Sequence, residues 1–147
     1  MRCFLGLPFF LIVFLLTTPL FAKPVEEIYN EAAVFIQNGD YESAVSKYKE
    51  AIVLDPKSAL AYNLLGLAYR FQLARTKDEN FRKEEIAAYE KAVELDPSYW
   101  VSMINLGNAY YSMGDKKKAA DYFKKALAIY PEHPERPDFE KKIAEAA

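Results

Sequence analysis

One nine-residue pattern occurs three times in this chain: YKEAIVLDP at residues 48–56, YEKAVELDP at 89–97 and FKKALAIYP at 123–131. Each copy has an aromatic residue first, an alanine fourth and a proline last. The fourth-position alanines of the second and third copies are 34 residues apart, whereas those of the first and second are 41 apart, which is 34 plus seven. A period in this range is typical of stacked supersecondary units, so the sequence predicts a repeat protein.

The residues around these copies predict helical hairpins. Apolar residues follow a helical spacing through segments such as 41–54, where they are Ala44, Val45, Tyr48, Ala51 and Ile52. Asn38-Gly39-Asp40 and Gly114-Asp115 are turn signals, and each terminal proline disfavours helical geometry in the residue before it. No segment alternates with period two, so we predict an all-α protein without strands.

With these motifs, the sequence resembles the tetratricopeptide repeat (TPR) family, whose 34-residue units are helix-turn-helix pairs. The unit at about 100–133 carries the family's residues at Met103, Leu106, Gly107, Tyr110, Ala119, Phe123, Ala126 and Pro131. The resemblance implies an α-solenoid of three units, at about 25–58, 59–99 and 100–133, in a domain covering 23–147. A capping helix is expected within 135–147, over residues 138–146, with Phe139 and Ile143 facing inward. The alternative is a segment that occupies the protein's own groove.

The second unit is longer than the other two. Its seven extra residues lie between Tyr69 and Ala92, and we predict that they lengthen both helices by one turn each. Glu85 then stands where the family has a small alanine. The extension is interpreted either as a tolerated surface addition or as a partner contact with Phe71 and Phe81 as its apolar part.

The N-terminus has the features of a secretory signal peptide. A basic start, an apolar run over residues 4–16 and a small-residue site ending at Ala22 predict cleavage after residue 22. The alternative is an uncleaved anchor over residues 3–22, which is barely long enough to span a bilayer at about 1.5 Å per residue. Both interpretations predict an exported protein, either periplasmic or secreted, or else held at the membrane by this segment. Cleavage would remove Cys3, the only cysteine.

Composition and motifs argue against catalysis and cofactors. His133 is the only histidine, and no glycine-rich phosphate loop or nucleophile elbow is present, so we expect no enzyme activity, metal or cofactor. A net charge of −2 does not favour nucleic-acid binding. The 11 tyrosines are interpreted as core residues. The lysines at 116–118, 124 and 125 are interpreted as a solvated face, with partner docking or an anionic membrane surface as the alternative.

The resemblance to TPR proteins implies a concave groove lined by the first helix of each unit. The positions that line the groove in this family correspond here to Tyr29, Ala33, Ile36, Asn63, Leu67, Arg70, Ile104, Asn108 and Tyr111, with Phe71 and Ser112 beside them. Such a surface offers apolar contact area, amides for a peptide backbone and, in Arg70, a cation for a carboxylate. Some TPR domains clamp a C-terminal carboxylate with a lysine and an asparagine, but Tyr29 and Ala33 occupy those positions here.

Two functions are consistent with these features. The first is a non-catalytic protein–protein interaction module or scaffold of the cell envelope, which binds a peptide or helix of a partner protein in the groove. The alternative is a structural element that forms homo-oligomers through Leu67, Ile104 and Tyr111. Membrane contact is expected only through an uncleaved N-terminal segment.

Overall fold

The computed structural model describes residues 24–146, so the predicted signal peptide, its alternative as an anchor, and Cys3 all lie outside the described residues. The described part contains seven α-helices and no strand, as the sequence predicts. In chain order they are α1 (Val25–Gln37), α2 (Tyr41–Leu54), α3 (Ala59–Thr76), α4 (Asn80–Leu95), α5 (Trp100–Ser112), α6 (Lys116–Ile129) and α7 (Arg136–Ala144).

Two predicted turn residues, Asp40 and Asp115, and in addition Ser58, cap the helices that follow them. The side chains of Asp40, Ser58 and Asp115 each accept a hydrogen bond of 3.1 Å from the backbone N–H three residues further on. These bonds satisfy donors that have no partner within the first turn of a helix. Gly39 and Gly114 have φ angles of 74° and 81°, which glycine adopts without steric cost.

Consecutive helices form three hairpins that stack into a TPR-like solenoid. Each of α1, α3 and α5 packs against the helix that follows it, and α2–α3 and α4–α5 contacts join the hairpins. A turn of only three residues within each hairpin makes its two helices antiparallel. The first helices of the hairpins therefore form one layer of the solenoid and the second helices form the other.

Close contact between a glycine and an aromatic ring sets the helix spacing in the second and third hairpins. A Cβ atom on Gly66 would lie 2.6 Å from Tyr89 Cε1, and one on Gly107 would lie 2.5 Å from Phe123 Cε1. Both rings are completely buried. The small residues therefore let the paired helices approach, and aromatic side chains fill the core beside them, as the repeat pattern predicts.

The seven extra residues of the second hairpin are divided unequally between its helices. Helix α3 has 18 residues, against 13 in α1 and α5, and α4 has 16, against 14 in α2 and α6. The extension is therefore five residues in α3 and two in α4, so the prediction of one turn in each is wrong. The connecting turn keeps the same length as in the other hairpins.

The lengthened α3 leans against the first hairpin. Arg75 Nη1 donates a 2.7 Å hydrogen bond to the carbonyl oxygen of Gly39, and its guanidinium lies 5.1 Å from the ring centre of Tyr41. Phe71 stacks on the same Tyr41 ring, with 5.3 Å between the ring centres. Phe81 stacks on Tyr69 at 6.2 Å. Both phenylalanines are half-buried and pack against rings of the chain, and the interpretation of the extension as a partner contact stays a prediction.

Helix α7 covers the end of the third hairpin. It begins and ends two residues earlier than predicted. Phe139 is completely buried and stacks on Phe123 with 4.8 Å between ring centres. Ile143 packs against the same cluster, so both residues face inward as predicted. Among residues 24–146, no helix combines the length and the apolarity needed to cross a bilayer.

We predict that Gly107→Ala destabilises the protein by about 1–2 kcal/mol, because its Cβ would meet the Phe123 ring. This value is a net effect. The steric cost of the added methyl group is partly offset by the gain of about 1 kcal/mol that alanine brings over glycine in a helix interior. Urea unfolding followed by circular dichroism measures the difference.

The control is the same change in a Phe123→Leu background, where the smaller side chain leaves room for the methyl group. There, Gly107→Ala should cost less than in the wild type, which a double-mutant cycle would show as a coupling energy. Equal or higher stability of Gly107→Ala in the wild-type background would contradict the proposed contact.

Candidate functional site

The nine predicted groove residues all lie on α1, α3 and α5, the first helices of the hairpins. Two of them, Arg70 and Asn108, line one pocket of about 360 Å³ where α3, α4 and α5 meet. We call this cavity the Arg70 pocket; its polar and charged lining consists of Arg70, Lys77, Glu79, Arg82, Glu85, Asn108 and Ser112.

The predicted groove residues differ in how much of each side chain reaches the surface. Ala33 and Arg70 are exposed, and Asn63 is buried. The others are half-buried: Tyr29, Ile36, Leu67, Ile104, Asn108 and Tyr111. Ile36 and Ile104 pack partly against the two main core clusters, so only part of each side chain can contact a partner.

Asn63 joins two units and does not offer its oxygen to a peptide. The residue is only 5% exposed. Its Oδ1 accepts hydrogen bonds from Ser102 Oγ at 2.9 Å and from Asn105 Nδ2 at 3.0 Å. Because both donors belong to α5, this amide fixes α3 beside α5. The expectation that Asn63 binds a peptide backbone is therefore corrected to a structural role.

Tyr29 is also engaged within the chain. Its hydroxyl lies 3.2 Å from Ser58 Oγ, and its ring centre is 6.5 Å from that of Tyr48. The polar tip of Tyr29 therefore links α1 to the start of α3. Ala33, one turn further along α1, stays exposed.

The lengthened hairpin builds most of the Arg70 pocket. Leu73 and Ala74 follow Arg70 on α3, Lys77 lies in the turn directly after that helix, and Arg82 lies on the start of α4. Sequence reasoning missed Lys77 and Arg82 as site residues. The signal that could have identified them is the extra length between Tyr69 and Ala92, because added helical turns extend beyond the neighbouring hairpin.

Glu85 is a buried carboxylate on the wall of this pocket. It is 1% exposed, and its Oε2 lies 2.7 Å from Arg82 Nη1. The same position holds Ala44 in α2 and Ala119 in α6, both completely buried. Burial raises the pKa of Glu85, while the positive charges of Arg82 and Arg70 oppose the rise. A charge at this helix contact is therefore tolerated because two arginines lie near it.

The pocket presents two cations that lack a carboxylate partner. Within residues 24–146, neither Arg70 nor Lys77 has an acidic group within ion-pair distance. Both side chains belong to exposed residues. Arg82 is instead shared between Glu85 at 2.7 Å and Glu79 at 4.0 Å. The free positive charge of the pocket therefore lies on Arg70 and Lys77, which suits an anionic group.

Helix α7 reaches two of the predicted groove residues. The Tyr111 hydroxyl donates a 2.8 Å hydrogen bond to Glu145 Oε2, which also lies 2.9 Å from Lys116 Nζ. These contacts with Lys116 and then Tyr111 lower the pKa of Glu145. Lys142 Nζ lies 3.4 Å from Asn108 Oδ1. The third unit's part of the groove is therefore bordered by α7 and the residue after it, while α7 also covers the end of the hairpin.

His133 lies in an aromatic cluster. Its ring centre is 5.4 Å from that of Trp100, 5.5 Å from that of Tyr130 and 5.1 Å from that of Phe139. In the described part of the chain, no three His, Cys, Asp or Glu side chains are grouped as a metal site would require. His133 therefore helps to anchor the segment before α7 to the third hairpin.

We predict that wild type gains stability relative to Glu85→Gln as the pH falls from neutral toward 4.5, the ordinary pKa of glutamate. The folded state raises the pKa of Glu85, so folded protein binds the proton more tightly than unfolded protein does, and acidification favours folding. The glutamine side chain does not titrate. Urea unfolding of both proteins across this pH range measures the difference.

Glu84→Gln is the control, because it removes the neighbouring carboxylate at an exposed position. Its stability difference from wild type should not follow the same trend. If Glu85→Gln instead gained on the wild type as the pH fell, the arginines would outweigh burial and the pKa of Glu85 would be lowered by folding, which would contradict the prediction.

Comparisons with known proteins identify the repeats. Residues 32–70 match a family model described as TPR repeat, and residues 101–133 match one described as tetratricopeptide repeat. The lengthened part of the second hairpin lies between these two segments. A comparison with curated proteins found no match.

Solved TPR domains share the fold of this chain. The Arabidopsis OM64 TPR domain is 21% identical, with a TM-score of 0.72, and the match covers 84% of this chain and 96% of that one. The first TPR of Spaghetti (RPAP3), bound to the HSP90 peptide SRMEEVD, is 20% identical, with a TM-score of 0.71 and coverages of 83% and 91%. The Yersinia enterocolitica type III secretion translocator chaperone SycD is 17% identical, with a TM-score of 0.69 and coverages of 87% and 92%. The chain therefore contains tetratricopeptide repeats, at residues 32–70 and 101–133, within a TPR-like helical solenoid.

Proposed function

We propose that this protein is a non-catalytic interaction module of the cell envelope that holds a peptide or helix of a partner protein against α1, α3 and α5. The observation that carries the proposal is the Arg70 pocket, where Arg70 and Lys77 have no carboxylate partner among residues 24–146. A carboxylate of the partner would pair with these cations. Ala33, Leu67 and the exposed parts of Ile36 and Ile104 would supply apolar contact along the groove.

Proteins with the same fold support a peptide ligand. The structure of the first TPR of Spaghetti contains the HSP90 peptide SRMEEVD, and the TPR2AB domain of yeast Sti1 is described as a complex with pHSP90. The peptide SRMEEVD has three acidic residues among its last four. An acidic segment is also the ligand that the free cations of the Arg70 pocket favour.

The chemistry of the pocket supports binding without catalysis. Its two acidic residues both face Arg82, with Glu85 at 2.7 Å and Glu79 at 4.0 Å. A general acid or base needs a titratable group that is free to reach the reacting atom. Glu85 is held within the helix contact and does not meet this requirement.

The proposal that the protein is exported to the envelope rests on the signal-peptide features of residues 1–22. We predict that the mature protein begins at Lys23 and is recovered from the periplasm. Intact-mass spectrometry of protein purified from its own cells, together with cell fractionation, measures both properties. Retention of residues 1–22 in a membrane fraction would support the anchored alternative, and full-length protein in the cytoplasm would overturn the proposal of export.

We predict that a photo-crosslinking residue at position 108 captures a partner protein and that Arg70→Glu reduces this capture by roughly tenfold or more. The residue faces the Arg70 pocket, and charge reversal would repel a carboxylate there. The experiment is carried out in cells that make the full-length protein, and the crosslinked products are quantified by mass spectrometry.

Two controls separate groove binding from loss of folding or general charge effects. A crosslinker at Val53, which is 78% exposed on α2, should not capture the same partner. Lys83→Glu changes the charge equally at an exposed position outside the pocket and should leave capture intact. Capture that persists in Arg70→Glu would contradict binding in this pocket. Capture of only a second copy of the chain would support the self-associating alternative.

A further inference from the structure

A second groove lies between α2 and α4 and shares no lining residue with the Arg70 pocket. It consists of two adjoining cavities of about 460 and 230 Å³, which have Lys49, Tyr69 and Glu84 in common. We call it the α2–α4 groove. Its walls come mainly from the second helices of the hairpins, whereas the predicted binding groove is built on the first helices.

The corresponding space between α4 and α6 is closed by side chains. Tyr110, which ends the LGNAY motif, stacks on Tyr122 with 5.7 Å between ring centres and 2° between the ring planes. Its hydroxyl donates a 2.9 Å hydrogen bond to Glu90, and Lys118 Nζ lies 4.8 Å from its ring centre. The Tyr122 ring, Glu90 and Lys118 therefore surround Tyr110.

The repeat register explains why the α2–α4 groove stays open. Tyr69 ends the LGLAY motif and takes the place of Tyr110. Ala88 precedes Tyr89 as Tyr122 precedes Phe123, so a methyl group stands where the third unit has a phenol ring. The smaller side chain at this position leaves the cavity beside Tyr69 and Ala88.

The open groove contains acceptors that lack partners. Gln72 is 6% exposed, and its buried Oε1 has no hydrogen-bond donor within the described part of the chain. Glu42 and Glu84 line the groove from α2 and α4, and neither has a cation within ion-pair distance in residues 24–146. A buried amide oxygen without a donor is costly, and a ligand N–H group that reached this oxygen would remove that cost.

The aromatic wall also suits a cation. The Tyr69 and Phe81 rings stack with 6.2 Å between their centres. Lys49 Nζ lies 5.8 Å from the ring centre of Tyr69, so the chain's own cation occupies this ring and a partner's cation would have to displace it. A guanidinium or ammonium group of a partner could lie along these rings and donate to the acidic side chains on both walls.

We infer that the α2–α4 groove binds a lysine or arginine side chain of a partner protein segment. This is a second interaction surface, and it does not depend on whether the Arg70 pocket takes a carboxylate. The two surfaces then select opposite charges: the Arg70 pocket an acidic residue and the α2–α4 groove a basic one.

The test is a titration of the purified protein with acetylated, amidated pentapeptides of sequence Ala-Leu-Xaa-Leu-Ala, followed by amide chemical shifts. With arginine or lysine as the central residue, saturable shifts are expected at Glu42, Lys49, Gln72 and Glu84. Peptides with central norleucine or glutamate should not produce them. Saturable binding by the glutamate peptide at these residues, or no saturable shift with either basic peptide, would overturn the inference.

Two sets of variants locate the binding. Glu42→Gln with Glu84→Gln should weaken binding of the arginine peptide roughly tenfold, because two partner carboxylates are removed. Glu132→Gln with Glu135→Gln makes the same charge change at exposed positions before α7 and should leave the affinity unchanged.

Ala88→Tyr should abolish binding by filling the groove as Tyr122 fills its counterpart. Circular dichroism checks that this variant folds. If it does not, the paired glutamine variant decides, because its two positions are exposed. Undiminished affinity in that variant would overturn the assignment to this groove.

Discussion

The structure depends on the distance between the two helices of each hairpin, which small residues set. Gly66 and Gly107 lie so close to the rings of Tyr89 and Phe123 that no Cβ atom could be added without displacing them. Ala32 is the small, completely buried residue at the same position of the first hairpin. Because these contacts fix the thickness of each unit, the next hairpin can stack at a constant spacing and bury its own aromatic side chains.

This packing tolerates added length but not added bulk. The second hairpin gains seven residues beyond the contact, and its turn remains three residues long. The added part of α3 is held by Arg75 and Phe71 against Tyr41 of the first hairpin, so it does not need a new core. Residues of the lengthened hairpin line the Arg70 pocket together with residues of α5. The site therefore arises from a local departure from the repeat.

Departures from the repeat at buried positions have an electrostatic cost. Glu85 replaces a small alanine at a helix contact, and burial disfavours its charged form. Arg82 offsets part of this cost, because its Nη1 lies 2.7 Å from Glu85 Oε2. The Arg82 guanidinium is therefore already paired within the chain. Arg70 contributes to the same balance from an exposed position, and its guanidinium stays accessible. Arg82 is therefore paired within the fold, whereas Arg70 has no carboxylate within ion-pair distance among residues 24–146.

The architecture could be predicted from sequence patterns alone. Helical periodicity, turn residues and the recurring small and aromatic positions indicate which face each helix buries, and all of them are local features. It also located Arg70 and Asn108 on the correct helices. Three features could be seen only in the folded chain. The extension adds five residues to α3 and two to α4, and the Asn63 side chain is hydrogen-bonded between α3 and α5. Residues of α7 and its C-terminal end contact Asn108 and Tyr111. These outcomes depend on contacts between residues far apart in the chain, whose distances follow from how the helices are placed against one another. The pairing of Glu85 with Arg82 is local in sequence, but its burial is set by the helices on either side.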